Sequence, residues 1–469
     1  MTDEKLAVAN AKKDQRGVAL VMVLGALSIL TVLLTEFQED ASAESAAALA
    51  DRDALKAEYV ARSAINLSRL IIAAEPTMRA PVTPFLAIAF GGQVPQIPVW
   101  EFADQLLGAF NDPESNKSFA EVAGIDLTKG KNLGMKGSKF VLNIVDEDSK
   151  INVNLGASND IAHIRLAKQL MGLMAPPQYT PLFEQRDKSG TFHDRLSVCS
   201  AIIDWSDNDE QAFSCDFSNS NAPQSGGVED AYYQLLPKQY RRKNAPYDSL
   251  AELHMARGVG DDFWATFVDP EPNNPKKRVL TVWGQGAVNV NSANAQTLLG
   301  VICAGAPAAE ICTDMNQAQL FLMGVTMAKG ISMGAPMFGS PQEFIATMKG
   351  QGMLGPMLSK IGMKPVKFLS ESEFAKSITT ESKVFSIHAV GVVKGYKRET
   401  RLAIEAVVDF RNAPLPGSGP LPGSGPGAPP PGTGAPPGTQ TGTSGASGDA
   451  IQSALQPSTG GNIVYFRID

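Results

Sequence analysis

From Val18 to Thr35 the chain carries no ionisable side chain, an apolar run of 18 residues. As a helix it spans ~27 Å at ~1.5 Å per residue, close to the ~30 Å hydrocarbon core of a bilayer. Lys5, Lys12, Lys13 and Arg16 lie before it, and Glu36, Glu39, Asp40 and Glu44 after it. Basic residues ahead and acidic residues behind predict an N-terminus on the inner side and the rest of the chain outside. The polar stretch that follows stays helical in character. Residues 41–74 contain neither Pro nor Gly, and Ala54, Ala57, Val60, Ala61, Ala64, Ile65, Leu67 and Ile71 recur at helical spacing. One helix is therefore predicted from Val18 to about Ala74, half in lipid and half out.

The period then changes. In KFVLNIVDE, residues 139–147, Phe140, Leu142 and Ile144 alternate with Val141, Asn143 and Val145, which reads as a strand. The phrase DSKINVN (148–154) returns in similar form as GAVNVNSANAQTLL (286–299), and in both an Asn or Ser can cap a following helix. Residues 155 to about 365 have mostly helical periodicity broken by Pro and Gly turns. VFSIHAVGVV (384–393) and RLAIEAVVDF (401–410) read as two strands, with a hairpin turn around Gly395. Residues 75–138 hold proline-rich loops and one helix near Trp100–Phe110. Residues 412–461 are Pro, Gly, Ser and Thr with almost no large apolar side chain. Such a tract buries too little surface to offset its ordering entropy and is predicted to be disordered. The order is long helix, strand, helical block, hairpin, which is an α+β class.

Composition narrows the function classes. The 469 residues carry a net charge of −7, against the basic face that a nucleic-acid binder needs. VNVNSANAQTLLGVI resembles the opening of a helix-hairpin-helix DNA module, but it sits in an acidic chain beyond a membrane-length segment. Cys199, Cys215, Cys303 and Cys312 form two sequence-local pairs without a CxxC. Two disulfides in an oxidising compartment suit this pattern, and free buried thiols would look the same. His163, His193, His254 and His388 are scattered singly, which gives no zinc-site spacing. GKNLGMKGSK misses the spacing of a phosphate-binding loop, and no spacing ties Ser to His, so no enzyme is expected. Asp204, Asp207, Asp209 and Glu210 crowd together, and Glu229 and Asp230 follow a small-residue loop at 218–227. Carboxylates at alternating positions can aim several hard oxygens at one centre, which suits Ca²⁺. The glycine and glutamate positions of an EF-hand are missing, and a solvated acidic loop is the alternative. Cys199 and Cys215 bracket this loop.

Arg16-Gly17, followed by Val18-Ala19-Leu20 and the apolar helix, resembles a type IV prepilin cleavage site. The resemblance implies cutting between Gly17 and Val18 by a prepilin peptidase on the cytoplasmic side, then N-methylation of the new terminus. A simple signal anchor is the alternative. Typical pilins carry glutamate at the fifth mature position, where this chain has Met22. That departure is a feature of the protein K family of the general secretion pathway, minor pseudopilins of type II secretion. DEDSKINVN, AIIDWSDNDE (201–210), GVEDAYYQLLPKQYRRKNAPYDSLAELHMARGVG (227–260), GAVNVNSANAQTLL and the closing IVYFRID resemble that family in order and spacing. The tract 412–461 is the main departure from it.

The resemblance implies an α+β, type IV pilin-like fold, a long N-terminal helix on a small antiparallel sheet, with a large inserted α-helical domain. Its parts are a leader (1–17), the pilin helix (18–74), the first part of the pilin-like domain (75–154), the inserted domain (155–365), the second part (366–411), the disordered loop (412–461) and a closing strand (462–469). It implies calcium at the acidic loop, held by Asp207, Asp209 and Glu229, with Asp204 and Glu210 as weaker candidates. It implies a single-pass inner-membrane protein with a periplasmic head, at the tip of the pseudopilus, helping to initiate its assembly. Its partners would be other minor pseudopilins, the prepilin peptidase and the inner membrane, with no nucleic acid. A type IV pilus minor pilin and a membrane-anchored periplasmic enzyme are the rival readings.

Overall fold

The computed structural model describes residues 3–89, 94–108, 111, 137–184, 186, 192–217, 225–228, 230–332, 334–352, 354–395, 398–414 and 460–469. The N-terminal helix, α1, runs from Asp3 to Arg79 without a break. It passes the expected stop at Ala74 and includes Pro76, which has no N–H to give to the preceding turn. Tertiary bonds hold this last turn in place. Glu75 Oε1 accepts from Ile97 N (2.8 Å) and lies 3.4 Å from Arg79 Nε. The apolar side chains from Val18 to Phe37 are exposed, whereas Ala57, Val60, Ala61, Ala64 and Ile65 are at most 2% exposed. The small residues on that second face let the helix lie close to the sheet.

The sheet has four antiparallel strands in the order β1-β8-β9-β10. They are β1 (Ser138–Asp146), β8 (Val384–Lys394), β9 (Glu399–Asp409) and β10 (Asn462–Ile468). Leu142 faces Ala389 and Ile144 faces Ile387 across β1 and β8, so the alternation seen in sequence puts one set of side chains against α1. Phe140, Leu142, Ile144, Phe385, Ile387, Ile404 and Val408 form one core with α1. Trp100 joins it, 4.8 Å from Phe385. The expected helix at Trp100–Phe110 is a 3-10 turn at Val99–Glu101 and a helix at Ala103–Gly108, with residues 109 and 110 outside the described residues. Most of the expected disordered tract, residues 415–459, also lies outside them. Where the chain returns, Arg69 donates to Gly460 O and Gly461 O, both at 2.8 Å, which ties the start of β10 to α1.

Between β1 and β8 lies a second domain with its own core. That core includes Val366, Phe374 and Ile378, so the inserted domain extends beyond the expected limit at residue 365. It is mostly helical but holds short strand pairs: β2 (Ile151–Asn152) parallel to β5 (Leu280–Thr281), β3 (Gln211–Phe213) antiparallel to β4 (Ser225–Val228), and β6 (Val288–Asn289) parallel to β7 (Ile378–Thr379).

The two Asn-Val-Asn phrases open two similar halves. Asn152 Oδ1 accepts from Asn154 N (2.9 Å), and Asn289 Oδ1 from Asn291 N (3.0 Å). Asn154 Oδ1 accepts from Tyr247 N (2.7 Å), and Asn291 Oδ1 from Phe338 N (2.9 Å). Glu252 Oε2 then accepts from Asp248 N (2.7 Å), and Glu343 Oε2 from Gly339 N (2.8 Å). Each half contributes a helix, Asp160–Met174 capped by Asn159 and Ala295–Gly305 capped by Asn294. A 3-10 turn at Val153–Ala157 separates the first phrase from its helix, so its own Asn residues do not cap it. The two helices cross at Gly172 and Gly300, where a Cβ on Gly172 would fall 2.3 Å from Gly300 O.

Candidate functional site

The stem is a candidate membrane-spanning helix. Ser28, Thr31 and Thr35 donate their hydroxyls to the carbonyls of Leu24 (2.9 Å), Leu27 (2.7 Å) and Thr31 (2.5 Å), so the helix satisfies its own polar groups. Hydrocarbon requires this, because it offers no partner to a stray hydroxyl or amide. Gly17 and Val18 lie within the continuous helix, and Met22 is 69% exposed.

The acidic loop follows the helix Arg195–Asp204. Asp204 and Asp207 are buried. Asp204 Oδ1 accepts from Phe213 N (2.8 Å), and its carbonyl accepts from Arg242 Nη1 (2.6 Å). Arg242 Nε also donates to Asp230 Oδ1 (2.9 Å), and Nη1 stands 3.9 Å from Asp207 Oδ1. Burial, aided by the Asp207 charge, pushes the Asp204 carboxyl up to about 8. Burial and the Asp209 charge push Asp207 up to about 7. Asp209 Oδ1 accepts from Gln211 N (2.7 Å), and Glu210 is exposed. Glu229 lies outside the described residues. Among the described residues no three His, Cys, Asp or Glu side chains gather around one point. Asp207 Oδ1 is nevertheless a buried acceptor that receives no hydrogen bond. A desolvated carboxylate oxygen of this kind, facing Arg242 at 3.9 Å but receiving no hydrogen bond, has acceptor capacity that suits a hard cation.

Cys199 is bonded to Cys215 and Cys303 to Cys312. The first bridge ties the helix ahead of the loop to the segment after β3. Sequence reasoning missed Arg242, whose pairing with residues 38 positions upstream leaves no local pattern.

It also missed a buried polar cluster where β1 leaves the sheet. Asp146, Glu147 and Asp148 are at most 5% exposed. Asp146 Oδ2 accepts from the hydroxyls of Ser292 and Ser382. Glu147 pairs with Lys150 Nζ (3.0 Å) and accepts from Thr281 Oγ1 (2.5 Å). Against its burial, the Lys150 charge and the Thr281 hydroxyl hold Glu147 below the ordinary range. Asp148 accepts three backbone N–H groups, from Gln285 (2.7 Å), Lys383 (2.7 Å) and Val384 (3.1 Å). Burial raises Asp146, and burial with the Asp146 charge raises Asp148. The cluster joins the end of β1, the segment 281–292 and the start of β8. Its chemistry is structural: it fixes where the inserted domain sits on the sheet.

No family model matches the chain, and no curated protein matches it. Among solved structures it is similar to a chain of the GspK-GspI-GspJ complex from the type 2 secretion system of enterotoxigenic Escherichia coli. The identity is 11% and the TM-score 0.34, over 59% of this chain and 76% of that chain.

Proposed function

We propose that the chain is a minor pseudopilin of a type II secretion system, at the tip of the periplasmic pseudopilus, where it helps to initiate assembly. One observation carries this reading: an uncharged, exposed stem of membrane length continues unbroken into a helix seated on an antiparallel sheet. A helix built this way holds a head outside the bilayer and offers its lipid-embedded half to the helices of other minor pseudopilins. The role is structural rather than catalytic. The inner membrane and the prepilin peptidase are its other partners, and the head is periplasmic.

The Gly17–Val18 bond is the processing site. Mass spectrometry of the mature chain is expected to begin at an N-methylated Val18, and Gly17→Leu to block maturation. A mature chain that starts at Met1, or after residue 40, refutes it.

Met22 supports the tip position. A carboxylate at the fifth mature position is costly in hydrocarbon and is relieved by a neighbouring subunit's terminal amine. A chain with Met22 needs no such neighbour ahead of it. Cross-linking in the fibre is expected to join this head to other subunits and not to copies of itself. Self-cross-links at the frequency of the main fibre subunit overturn the tip assignment.

The acidic loop takes Ca²⁺, with Asp207, Asp209 and Glu229 as ligands and Asp204 and Glu210 as further candidates. The orphaned Asp207 Oδ1 supports this. A ligand bound only by the folded state raises its stability by mass action. Calcium is expected to raise the melting temperature of the wild-type chain and to leave the Asp207→Ala, Asp209→Ala double variant unmoved. A wild type that does not respond makes this a solvated acidic turn.

A further inference from the structure

A cleft of about 400 Å³ separates the segment Gln96–Glu101 of the sheet domain from the inserted domain. Its amide and hydroxyl side chains are already committed within the protein. Gln96 exchanges two hydrogen bonds with the Ser382 backbone (3.1 and 2.7 Å), and Ser292 donates to Asp146. Asn294 accepts from Thr297 N (2.8 Å) and donates to Lys277 O (3.1 Å). What the cleft still offers is positive charge.

Three lysines line it, Lys276, Lys277 and Lys329, against the single carboxylate of Glu101. Lys276 Nζ is paired with Glu101 Oε2 at 3.0 Å. Lys277 is exposed, and its ammonium has no hydrogen bond or ion pair among the described residues. Lys329 Nζ donates to Ala293 O (2.5 Å) and has no carboxylate at ion-pair distance among the described residues. Its ammonium is desolvated, which lowers it to about 8. The first residue of the helix Ala295–Gly305 also lines the cleft and adds the positive end of the helix dipole. In a chain of net charge −7 this is a local inversion of sign.

We propose that this cleft binds the carboxylate side chains of an acidic polypeptide segment from another protein. Lysines supply compact point charges on flexible stems rather than a planar fork, so they can meet carboxylates on mobile side chains without a fixed bidentate geometry. Pro98, Val325 and Pro336 add apolar wall that fits the methylene stems and backbone of such a segment. The segment would sit across both domains, since the lining comes from each.

The test is calorimetric titration of the full chain, in a non-ionic detergent, with a tetraglutamate peptide and separately with succinate. Saturable peptide binding is expected, weakening with salt as charge pairs do. Lys329→Gln and Lys277→Gln are each expected to weaken it at least tenfold. Lys364→Gln, at a side chain 57% exposed and paired with Glu310 outside the cleft lining, should leave it unchanged. Should Lys329→Gln fail to fold, the exposed Lys277 carries the test. Binding that survives in Lys277→Gln overturns the proposal, as does an absence of saturable binding. Binding of succinate without the peptide overturns the polypeptide ligand and assigns the cleft to small dicarboxylates.

Discussion

Gly391→Val is expected to unseat α1 from the sheet and to cost the fold more than ~3 kcal/mol, at or above the upper end of typical overpacking penalties. A Cβ at this position would fall 1.9 Å from Ala57 O, 2.8 Å from Ala57 C and 3.1 Å from Ala61 N. The obstacle is helix backbone, which cannot rotate aside as a side chain can. Relief requires the whole helix to move, and that opens the layer of Val60, Ala64 and Ile65 on the sheet. Even Gly391→Ala is expected to lower the melting temperature of the full chain in detergent and to expose residues 50–80 to proteolysis. Gly324→Ala is the control, because its Cβ would meet only Ile361 Cδ1, at an ordinary 3.5 Å. A Gly391→Ala chain as stable as the Gly324→Ala chain would show that α1 does not approach β8 this closely.

Asp148→Leu is the second large expected loss. The carboxylate is the shared acceptor of three backbone donors, Gln285 N, Lys383 N and Val384 N. Leaving a buried donor unsatisfied costs ~1–3 kcal/mol, so about 3–6 kcal/mol is at stake even if some donors find other partners. Asp146→Asn should be milder, because the Ser292 and Ser382 hydroxyls that face it can rotate and reverse roles. Urea denaturation of the full chain checks the ranking, and equal losses in the two variants would falsify it. The pair also sets a pH dependence. Asp146 and Asp148 are raised in the folded state, so the folded chain holds more protons than the unfolded chain above pH ~4. Stability from this pair is therefore full below pH ~4 and is lost as pH rises through the folded values of about 6 and about 7. Asp146→Asn is expected to flatten that slope.

The stem was legible because lipid imposes a simple rule, an unbroken run without charge. Three strands of the sheet were legible from the residue pattern and the fourth, at the end of the chain, only from the family resemblance; the observed limits lie within about two residues of those expected. What escaped depends on distant partners. Glu75 and Ile97 carry α1 through Pro76, and no local pattern signals that bond. The repeated Asn-Val-Asn phrase stood out, but its targets, Tyr247 and Phe338, are remote and share no sequence with it. Asp146-Glu147-Asp148 has the composition of a solvated turn and is buried because donors arrive from segments more than a hundred residues away. The acidic loop was visible as composition. Its geometry depends on Arg242, which no local pattern ties to it.

Asp146 and Phe385 are register partners on adjacent strands, so the inserted domain leaves and rejoins the sheet at one place. In mechanical terms it hangs from the tip of a hairpin. A pull along the stem is resisted by α1, by the seat of Gly391 on Ala57, and by the ladder between β1 and β8. None of that tension has to cross the inserted domain, which is attached at both ends to the same corner. The domain is thus off the force path: it can yield, close on a ligand or be exchanged for another fold without lengthening the link between membrane and head.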